Sequence, residues 1–265
     1  MALITGSGAE LCMPGSELVE IRSVAEASGI AVSRRTSDLL WTHNDSGEPI
    51  LHALDTRGTV KGRVQVTGAR VDDWEDLTTA PCPEGSCLYI ADIGDNNRSR
   101  RGITIYRIPE PRPEQAASEP ADVWNATYPD GAHDAEALFA FGNALFVVTK
   151  DKSSATALYR LPLLPKGGRE ARLELVSRLS LDRVTGAGVS PDGTWVALRT
   201  NDALLFYRTP DLIGGRPGAP REFDLTPLGE PQGEGVAIGA DGRVYLAGEG
   251  GGRGGTLAAL RCMLR

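Results

Sequence analysis

The chain has 265 residues, 41% of them hydrophobic, and is long enough to bury a substantial core. Its 32 glycines and 17 prolines favour many short strands joined by tight turns over long helices. The formal net charge of −7 argues against nucleic acid as a partner, because a phosphate-binding surface carries a basic excess. No run reaches the roughly 18 apolar residues of a membrane helix, so no membrane span is expected.

The N-terminal stretch, MALITGSGAELCMPG, lacks the basic start and the apolar run of an intact signal peptide. The protein is therefore expected either to be cytoplasmic or to have lost a signal sequence. A first strand is predicted at residues 17–24 (ELVEIRSV), outside the repeat units that follow it.

The rest of the chain repeats one pattern at intervals of about 50 residues. The units begin with SGIAVS (28–33), WEDLTT (74–79), EALFAF (136–141), AGVSPDG (187–193) and EGVAIGADG (234–242). Their second strands are LLWTHND (39–45), CLYIADIGD (87–95), ALFVVTKD (144–151), TWVALRTND (194–202) and RVYLAGEG (243–250). Three units share a Tyr-Arg-x-Pro third strand: ITIYRIP (103–109), TALYRLP (156–162) and ALLFYRTP (203–210). The predicted fourth strands are VKGRVQV (60–66), ADVWNATY (121–128), ARLELVSRL (171–179) and REFDL (221–225).

Repeated groups of short strands, with Pro-Asp-Gly or Ala-Asp-Gly turns between the first two, are typical of the blades of a β-propeller. The sequence predicts a single all-β domain over residues 1–265: a five-bladed β-propeller with four antiparallel strands per blade. The fifth unit has only three strands, so the N-terminal strand is expected to complete that blade and to cover its open edge. The alternatives are a six-bladed propeller and a β-sandwich, although a sandwich does not require the Tyr-Arg-x-Pro repeat.

The four cysteines give an independent test of this closure. Cys82 and Cys87 flank a hairpin turn, PEGS, which is short enough for a disulfide across it. In a closed ring, Cys262 at the end of the last strand lies near Cys12 beside the N-terminal strand. Two such pairs predict an oxidising compartment, extracellular or periplasmic, although four free thiols in a cytoplasmic protein remain the alternative.

Blade topology places the residues before each first strand and after each second strand at the same mouth of the central channel. The residues expected before first strands are Asp72, Asp73, Glu75, Asp134, Glu136 and Glu234. Those expected after second strands are His43, Asn44, Asp45, Asp92, Asp95, Asn96, Lys150, Asp151, Arg199, Asn201, Asp202 and Glu249. The mouth is therefore predicted to be acidic.

Glu75, Glu136 and Glu234 occupy equivalent positions in three blades, and their mutual repulsion must be offset by protons, by Lys150 and Arg199, or by a metal ion. Hard oxygen ligands suit Ca²⁺, so the three glutamates are the candidate metal ligands. No organic cofactor is expected. Many of the surrounding Asp and Asn residues are expected to be ordinary turn formers.

Other residues at this mouth are candidates for catalysis or ligand binding. A general base could be His43, aligned by Asp45, or Glu136, although a lone histidine is more often structural. The candidate ligand contacts are Asp92, Lys150, Arg199 and Trp74, with Lys150 and Arg199 suited to an anion and Trp74 to a sugar ring. Lys150 could equally neutralise Glu136 or Glu75. The four tryptophans are otherwise expected to pack between blades.

Several motifs together resemble those of a largely uncharacterised, often exported group of bacterial propeller proteins: WTHNDSG (41–47), DWEDL (73–77), DIGDN (92–96), IYRIPEP (105–111) and DAEAL (134–138). This resemblance implies a propeller fold and export. The acidic strand starts, such as EGVAI, are more distantly similar to phytase-like and gluconolactonase-like propellers. That similarity implies calcium in the channel and hydrolysis of phosphoesters or lactones, with only Glu75, Glu136 and Glu234 as matching carboxylates. Five-bladed glycoside hydrolases, which use three inward carboxylates, are a further analogy of fold alone.

Three functions follow as hypotheses. The first is an exported propeller that binds a divalent cation, together with a small anionic or sugar ligand, in the acidic mouth. The second is a metal-dependent hydrolase of phosphoesters, lactones or glycosides. The third is a scaffold whose rim binds another protein.

Overall fold

The computed structural model describes residues 11–150, 156–163 and 169–264. These residues form five small sheets arranged in a ring, a five-bladed β-propeller. The innermost strand of each blade packs against the innermost strands of both neighbouring blades, which closes the ring around a central channel. The prediction of five blades of antiparallel strands is therefore confirmed.

The strands follow the predicted repeat. The N-terminal segment contains β1 (Cys12–Pro14) and β2 (Val19–Ile21). Blade one consists of β3 (Ala27–Val32), β4 (Leu39–Asn44), β5 (Ile50–Asp55) and β6 (Val60–Gln65). Blade two consists of β7 (Trp74–Cys82), β8 (Gly85–Asp92), β9 (Ile103–Pro109) and β10 (Asp122–Thr127). Blade three consists of β11 (Ala135–Phe141), β12 (Ala144–Thr149), β13 (Thr156–Pro162) and β15 (Glu174–Leu179), with β14 (Glu170–Arg172) between the last two. Blade four consists of β16 (Gly186–Val189), β17 (Trp195–Arg199), β18 (Ala203–Arg208) and β19 (Arg221–Asp224). Blade five contains β20 (Gln232–Ile238), β21 (Arg243–Glu249) and β22 (Gly255–Cys262).

Blade five is completed from the other end of the chain, as predicted. Both β1 and β2 pair with β22 in antiparallel register. The strand predicted at 17–24 is shorter than expected, β2 at Val19–Ile21, and it is preceded by β1, which was not predicted. The chain leaves the ladder after Pro14 and rejoins it at Val19. Between them, the amides of Gly15 and Ser16 both donate to the carbonyl of Ala259, at 2.8 and 3.1 Å.

Both predicted disulfides are present. Cys12 and Cys262 lie opposite each other in the pairing of β1 with β22 and are bonded across 250 residues. Cys82 and Cys87 are bonded across the hairpin between β7 and β8. The described residues contain no free cysteine. Two disulfides are typical of a protein from an oxidising compartment outside the cytoplasm.

One predicted strand divides between two blades. The run 171–179 was expected to form the fourth strand of blade three, and β15 does so by pairing with β13. The preceding segment, β14, pairs in parallel with β10 and adds a fifth strand to blade two. The chain changes blade at Leu173, whose side chain is buried and whose amide donates to the carbonyl of Thr127 at 2.9 Å.

Five hydrophobic clusters form the core, one between each pair of neighbouring blades. Alternation along the strands gives every blade two apolar faces, and each face meets a different neighbour. The repeated tyrosines, Tyr106, Tyr159 and Tyr207, each pack in the cluster shared with the preceding blade. All four tryptophans also lie in these clusters, as predicted for residues packed between blades.

Helical structure among the described residues is limited to α1 (Thr209–Ile213) and a 3₁₀ turn at Thr226–Leu228. No helix in this part of the chain has the length and apolar character needed to cross a membrane.

Candidate functional site

Three glutamates reach the channel mouth because the first strands of their blades are bulged. The pairing register shifts at Glu75 in β7, at Glu136 in β11 and at Glu234 in β20. A bulge leaves its extra residue outside the regular ladder and redirects the side chain. The register of β3 shifts in the same way around Ser28, whose hydroxyl donates to the Glu75 carbonyl at 2.6 Å. Glu75 lies close enough to Glu136 and Glu234 for their charges to raise its pKa, so the predicted convergence of the three is present.

The three carboxyl groups are almost completely buried. Glu75 is 7% exposed, and Glu136 and Glu234 are each 4% exposed. Burial raises the pKa of Glu75 well above its usual value, and it raises the pKa of Glu136 to about 8 although Lys150 opposes the shift. Burial also raises the pKa of Glu234, partly offset by a 2.6 Å hydrogen bond from the Gln232 amide. The mouth therefore gathers carboxyl groups that keep their protons more readily than exposed ones do.

Lys150 brings a positive charge into this group of glutamates. Its ammonium pairs with Glu136 Oε1. Burial lowers the pKa of Lys150, but the negative charges of Glu136, Glu234 and Glu75 outweigh burial and leave it raised. The other oxygen, Glu136 Oε2, is buried and has no hydrogen-bond partner among the described residues. Of the two predicted neutralising contacts for Lys150, the ion pair with Glu136 is the one that forms.

Asp76 is a central residue that the sequence analysis did not single out. Its side chain is fully buried and crosses the channel from blade two. Oδ1 accepts the amide of Leu77 at 2.8 Å, and Oδ2 accepts the amides of Leu138 in blade three at 2.8 Å and Ala187 in blade four at 3.2 Å. Burial raises the pKa of Asp76 well above its usual value, while these three hydrogen bonds oppose the shift. One carboxylate thus joins the inner strands of three blades.

The loop before β7 is held in place by Asp92. The two oxygens of Asp92 accept the amides of Asp72 and Asp73 at 3.0 and 3.2 Å. Arg100 Nη2 pairs with Asp92 Oδ1 at 2.8 Å. Asp92 is only 2% exposed, and its described contacts are all with other parts of the protein. These contacts give no support to its candidate role in binding a ligand.

Gly94 allows two carboxylates to approach the same point of the backbone. A Cβ atom at Gly94 would lie 2.3 Å from both Asp73 Oδ2 and Glu75 Oε1. Burial raises the pKa of Asp73, and the neighbouring charge of Asp134 raises it further. The acidic group therefore extends from the glutamates toward the rim of blade two.

Arg199 is placed inside the wall between blades four and five. Its guanidinium is 0% exposed, and Nη1 donates to the carbonyls of Gly235 and Ala247, both at 2.8 Å. Nη2 pairs with Glu230. These contacts tie two blades together, so the guanidinium predicted to meet an anionic ligand is committed to the protein itself.

Trp74 and His43, the two ring-bearing candidates at the mouth, also contact only other parts of the protein. Trp74 is 0% exposed and donates from Nε1 to the Arg70 carbonyl at 2.9 Å, so it presents no face on which a sugar ring could stack. His43 is fully buried edge-on against Trp74, with Nδ1 2.9 Å from the Asn44 carbonyl oxygen. Burial lowers the pKa of His43 to about 4, which leaves the ring neutral at pH 7. The predicted alignment by Asp45 is not among the described contacts of His43.

Further carboxyl groups continue the acidic rim toward blades one and five. Burial raises the pKa of Asp45 to about 7, and the adjacent Glu26 adds to the shift. The hydroxyl of Ser46 donates to Glu26 Oε2 at 2.7 Å and lowers the pKa of Glu26. Burial and the charge of Glu234 raise the pKa of Glu249. Asp151, also expected at this mouth, lies outside the described residues.

The opposite end of the channel is chemically different. It contains a cavity of about 480 Å³, lined by residues such as Leu77, Phe141, Ala187 and Val236. None of the described residues that line this cavity is acidic. The acidic group formed by Glu75, Glu136 and Glu234 is therefore at the other end of the channel from this cavity, as the blade topology predicts.

The donor chemistry at the acidic mouth suits a hard cation such as Ca²⁺, because all the candidate ligands are carboxylate oxygens. Within the described residues, only Cys82, Glu84 and Cys87 bring three potential ligand atoms within 4.8 Å of one another, and two of these form a disulfide. The three glutamates therefore have suitable chemistry for calcium, but their oxygens stand too far apart to share one ion without moving.

No protein-family model and no curated protein matches the chain. Solved structures match it at low sequence identity. A glucose dehydrogenase is 12% identical, with 94% of this chain and 100% of that chain covered and a TM-score of 0.54. A gluconolactonase from Xanthomonas campestris is 13% identical, with 96% of each chain covered and a TM-score of 0.51. The aldose sugar dehydrogenase from Streptomyces coelicolor, in its PQQ-bound form, is 14% identical, with 95% and 100% covered and a TM-score of 0.51. These similarities support the propeller fold.

Proposed function

We propose that the acidic mouth of this propeller binds a divalent cation, with Ca²⁺ as the metal that the donor atoms suit best. The observation that carries the proposal is the state of Glu136. Its carboxyl group is buried at the mouth, Lys150 holds one oxygen, and the other oxygen has no hydrogen-bond partner among the described residues. A buried carboxylate oxygen without a partner is costly, and a cation is a partner that its charge favours.

The charge of the surrounding groups supports the same proposal. Glu75 and Glu234 add two more buried carboxyl groups, and Lys150 is the ammonium that acts on all three. In a partly desolvated site, opposite charges interact more strongly than in water. A divalent ion bound here would be held by Glu75, Glu136 and Glu234 after side-chain rotations that bring their oxygens together.

A small anionic or sugar ligand could accompany the cation, as the sequence analysis expects. The structure leaves Lys150 as the best-placed candidate contact, because Trp74, Asp92 and Arg199 are engaged in internal contacts. Such a ligand would enter from the acidic mouth, since Asp76 crosses the channel beyond the glutamates.

Thermal unfolding with added CaCl₂, MgCl₂ or MnCl₂, and with EDTA, tests the proposal. A ligand at 100 times its Kd stabilises the native state by about 2.7 kcal/mol, which corresponds to a rise in Tm of about 5–10 °C. Glu136→Gln should remove the shift. Glu174→Gln is the matched control, because Glu174 lies in an outer strand with its side chain 60% exposed, and it should keep the shift. A Tm that no metal changes would contradict cation binding and favour the protein-binding scaffold.

Hydrolysis assisted by the metal is the second candidate, and the contacts of Glu136 favour it as the proton-transferring group over His43. Glu136 lies at the mouth beside Lys150, whereas His43 is buried behind Trp74. Assays with p-nitrophenyl phosphate, p-nitrophenyl glycosides and a δ-lactone, with and without CaCl₂, test this activity. Turnover that Glu136→Gln abolishes and Glu174→Gln retains supports a hydrolase, and no turnover on any substrate contradicts it.

We also propose an extracellular or periplasmic location, on the basis of the two disulfides. Labelling of free thiols in cells that produce the protein tests this location. Four labelled cysteines in the native host would contradict it.

A further inference from the structure

We infer that Lys150 competes with the divalent cation for the same carboxylates, so that it sets how tightly the acidic mouth binds metal. This inference rests on the proposed function, and it assigns to one residue the control of that site. The positions of Lys150 and of the three glutamates carry it.

Lys150 already acts as the counter-ion of the group of glutamates. Its side chain is 18% exposed, its ammonium pairs with Glu136, and Glu234 and Glu75 are close enough to act on it electrostatically. Lys150 follows directly after β12, and its amide donates to the Asp134 carbonyl at 2.9 Å. Since Asp134 immediately precedes β11, this backbone contact anchors the start of the lysine side chain beside Glu136.

An ammonium and a metal ion place different demands on the glutamates. An ammonium offers three hydrogen-bond donors and therefore contacts at most a few carboxylate oxygens, whereas Ca²⁺ draws six to eight oxygens to about 2.3–2.6 Å. The described side chains have the arrangement expected for the ammonium: Glu136 is paired, and no three carboxylate oxygens from this group lie within 4.8 Å of one another. A Ca²⁺ ion that takes both oxygens of Glu136, the unpartnered Oε2 and the paired Oε1, displaces Lys150.

The exchange is local, because the other cations near the mouth are committed elsewhere. Arg199 is held by two backbone carbonyls and Glu230, and Arg100 by Asp92. Neither pairs with Glu136 in the described contacts. Removal of the Lys150 charge should therefore open the glutamates to a metal and leave the walls of the mouth in place.

Calorimetric titration of CaCl₂ into the wild type and Lys150→Met tests the inference. Methionine keeps most of the length of the side chain and removes its charge, so the variant should bind Ca²⁺ at least 10-fold more tightly than the wild type. Lys61→Met is the matched control, because Lys61 is 46% exposed and pairs with Asp55 on blade one, and its Kd should equal that of the wild type. A Kd for Lys150→Met within twofold of the wild type overturns the inference.

The same titration separates the inference from the proposed function. Equal binding by wild type and Lys150→Met leaves cation binding in place and overturns the competition. Binding by the variant alone supports the competition and overturns cation binding by the natural protein, whereas no binding by either overturns both.

If Lys150→Met does not fold, Lys150→Gln takes its place, because glutamine is neutral and can still donate to Glu136. A second measurement needs no variant. Saturation of the wild type with CaCl₂ should increase acetylation of Lys150 by acetic anhydride relative to Lys61, measured by mass spectrometry. An unchanged ratio when calcium binds would contradict the release of Lys150.

Discussion

Replacement of Asp76 by alanine tests the contact that joins the inner strands of three blades. The substitution removes the acceptor for the backbone amides of Leu77, Leu138 and Ala187, and all three amides lie in buried strands. Each buried amide without a partner costs about 1–3 kcal/mol, which gives about 3–9 kcal/mol for the three. Removal of a buried carboxyl group also relieves its own desolvation cost, so we expect a loss in the lower half of that range, about 3–6 kcal/mol.

Urea denaturation followed by far-ultraviolet circular dichroism measures this loss. A natural domain has about 5–15 kcal/mol of stability, so Asp76→Ala should move the midpoint strongly or prevent folding. Asp76→Asn keeps one carbonyl oxygen and should lose less than Asp76→Ala. Asp182→Ala is the control, since Asp182 is exposed in the loop before blade four, and it should stay within about 0.5 kcal/mol of the wild type. A loss below about 1 kcal/mol for Asp76→Ala would refute a joining role for this carboxylate.

Two further predictions concern the ring closure and acid stability. Loss of the Cys12–Cys262 disulfide through serine substitutions should lower the free energy of unfolding by about 5 kcal/mol, because it closes a loop of 250 residues. Loss of Cys82–Cys87, five residues apart, should cost about 2 kcal/mol, and equal losses in urea titrations would contradict this reasoning. His43 has its pKa lowered to about 4 from an ordinary value of 6.5, so its contribution to stability is present above pH 6.5 and is lost as the pH falls to 4. His43→Gln should reduce this acid destabilisation by about 3 kcal/mol, and an unchanged pH profile in urea titrations would argue against a buried neutral ring.

The fold could be predicted from the sequence because its main determinants repeat. Tyr106, Tyr159 and Tyr207 each face the preceding blade, so the same packing demand recurs at the same place in successive units. The closure could also be predicted, since a last unit with three strands needs a fourth. Cys12 and Cys262 gave an independent constraint on the same closure.

The divided strand at 170–179 could not be predicted from local pattern. β14 pairs with β10 and β15 pairs with β13, although both segments have the sequence pattern of a β-strand. Pairing between blades depends on how the connecting chain passes the neighbouring sheet. That path is a tertiary property, which strand periodicity does not encode.

The candidate site was predictable in outline and not in its internal contacts. The bulged positions of Glu75, Glu136 and Glu234 share an offset from their strands, so their convergence followed from topology. The role of Asp76 did not, because its partners belong to other blades. A signal was present, however: the residue that follows the glutamate is small and uncharged in the other two blades, Ala137 and Gly235, and acidic only here.

Burial also decided which polar and aromatic candidates can meet a ligand. Trp74 and Arg199 both lie beside the channel mouth, as expected, but the side chain of each points into the packing between two blades. A residue next to the channel can point to the mouth or to a neighbouring blade, and a single sequence does not distinguish these directions. Lys150 points to the mouth because Glu136 is on the adjacent strand.

The shared construction of blade five fixes the order in which this protein can mature. β1 and β2 are synthesised before blades one to four, whereas the strand on which they dock, β22, is synthesised after those blades. During synthesis, blades one to four can therefore form their sheets while β1 and β2 are still unpaired. If the chain crosses a membrane during synthesis, the ring can close only after β22 has also crossed, when Cys12 and Cys262 come together and can be oxidised.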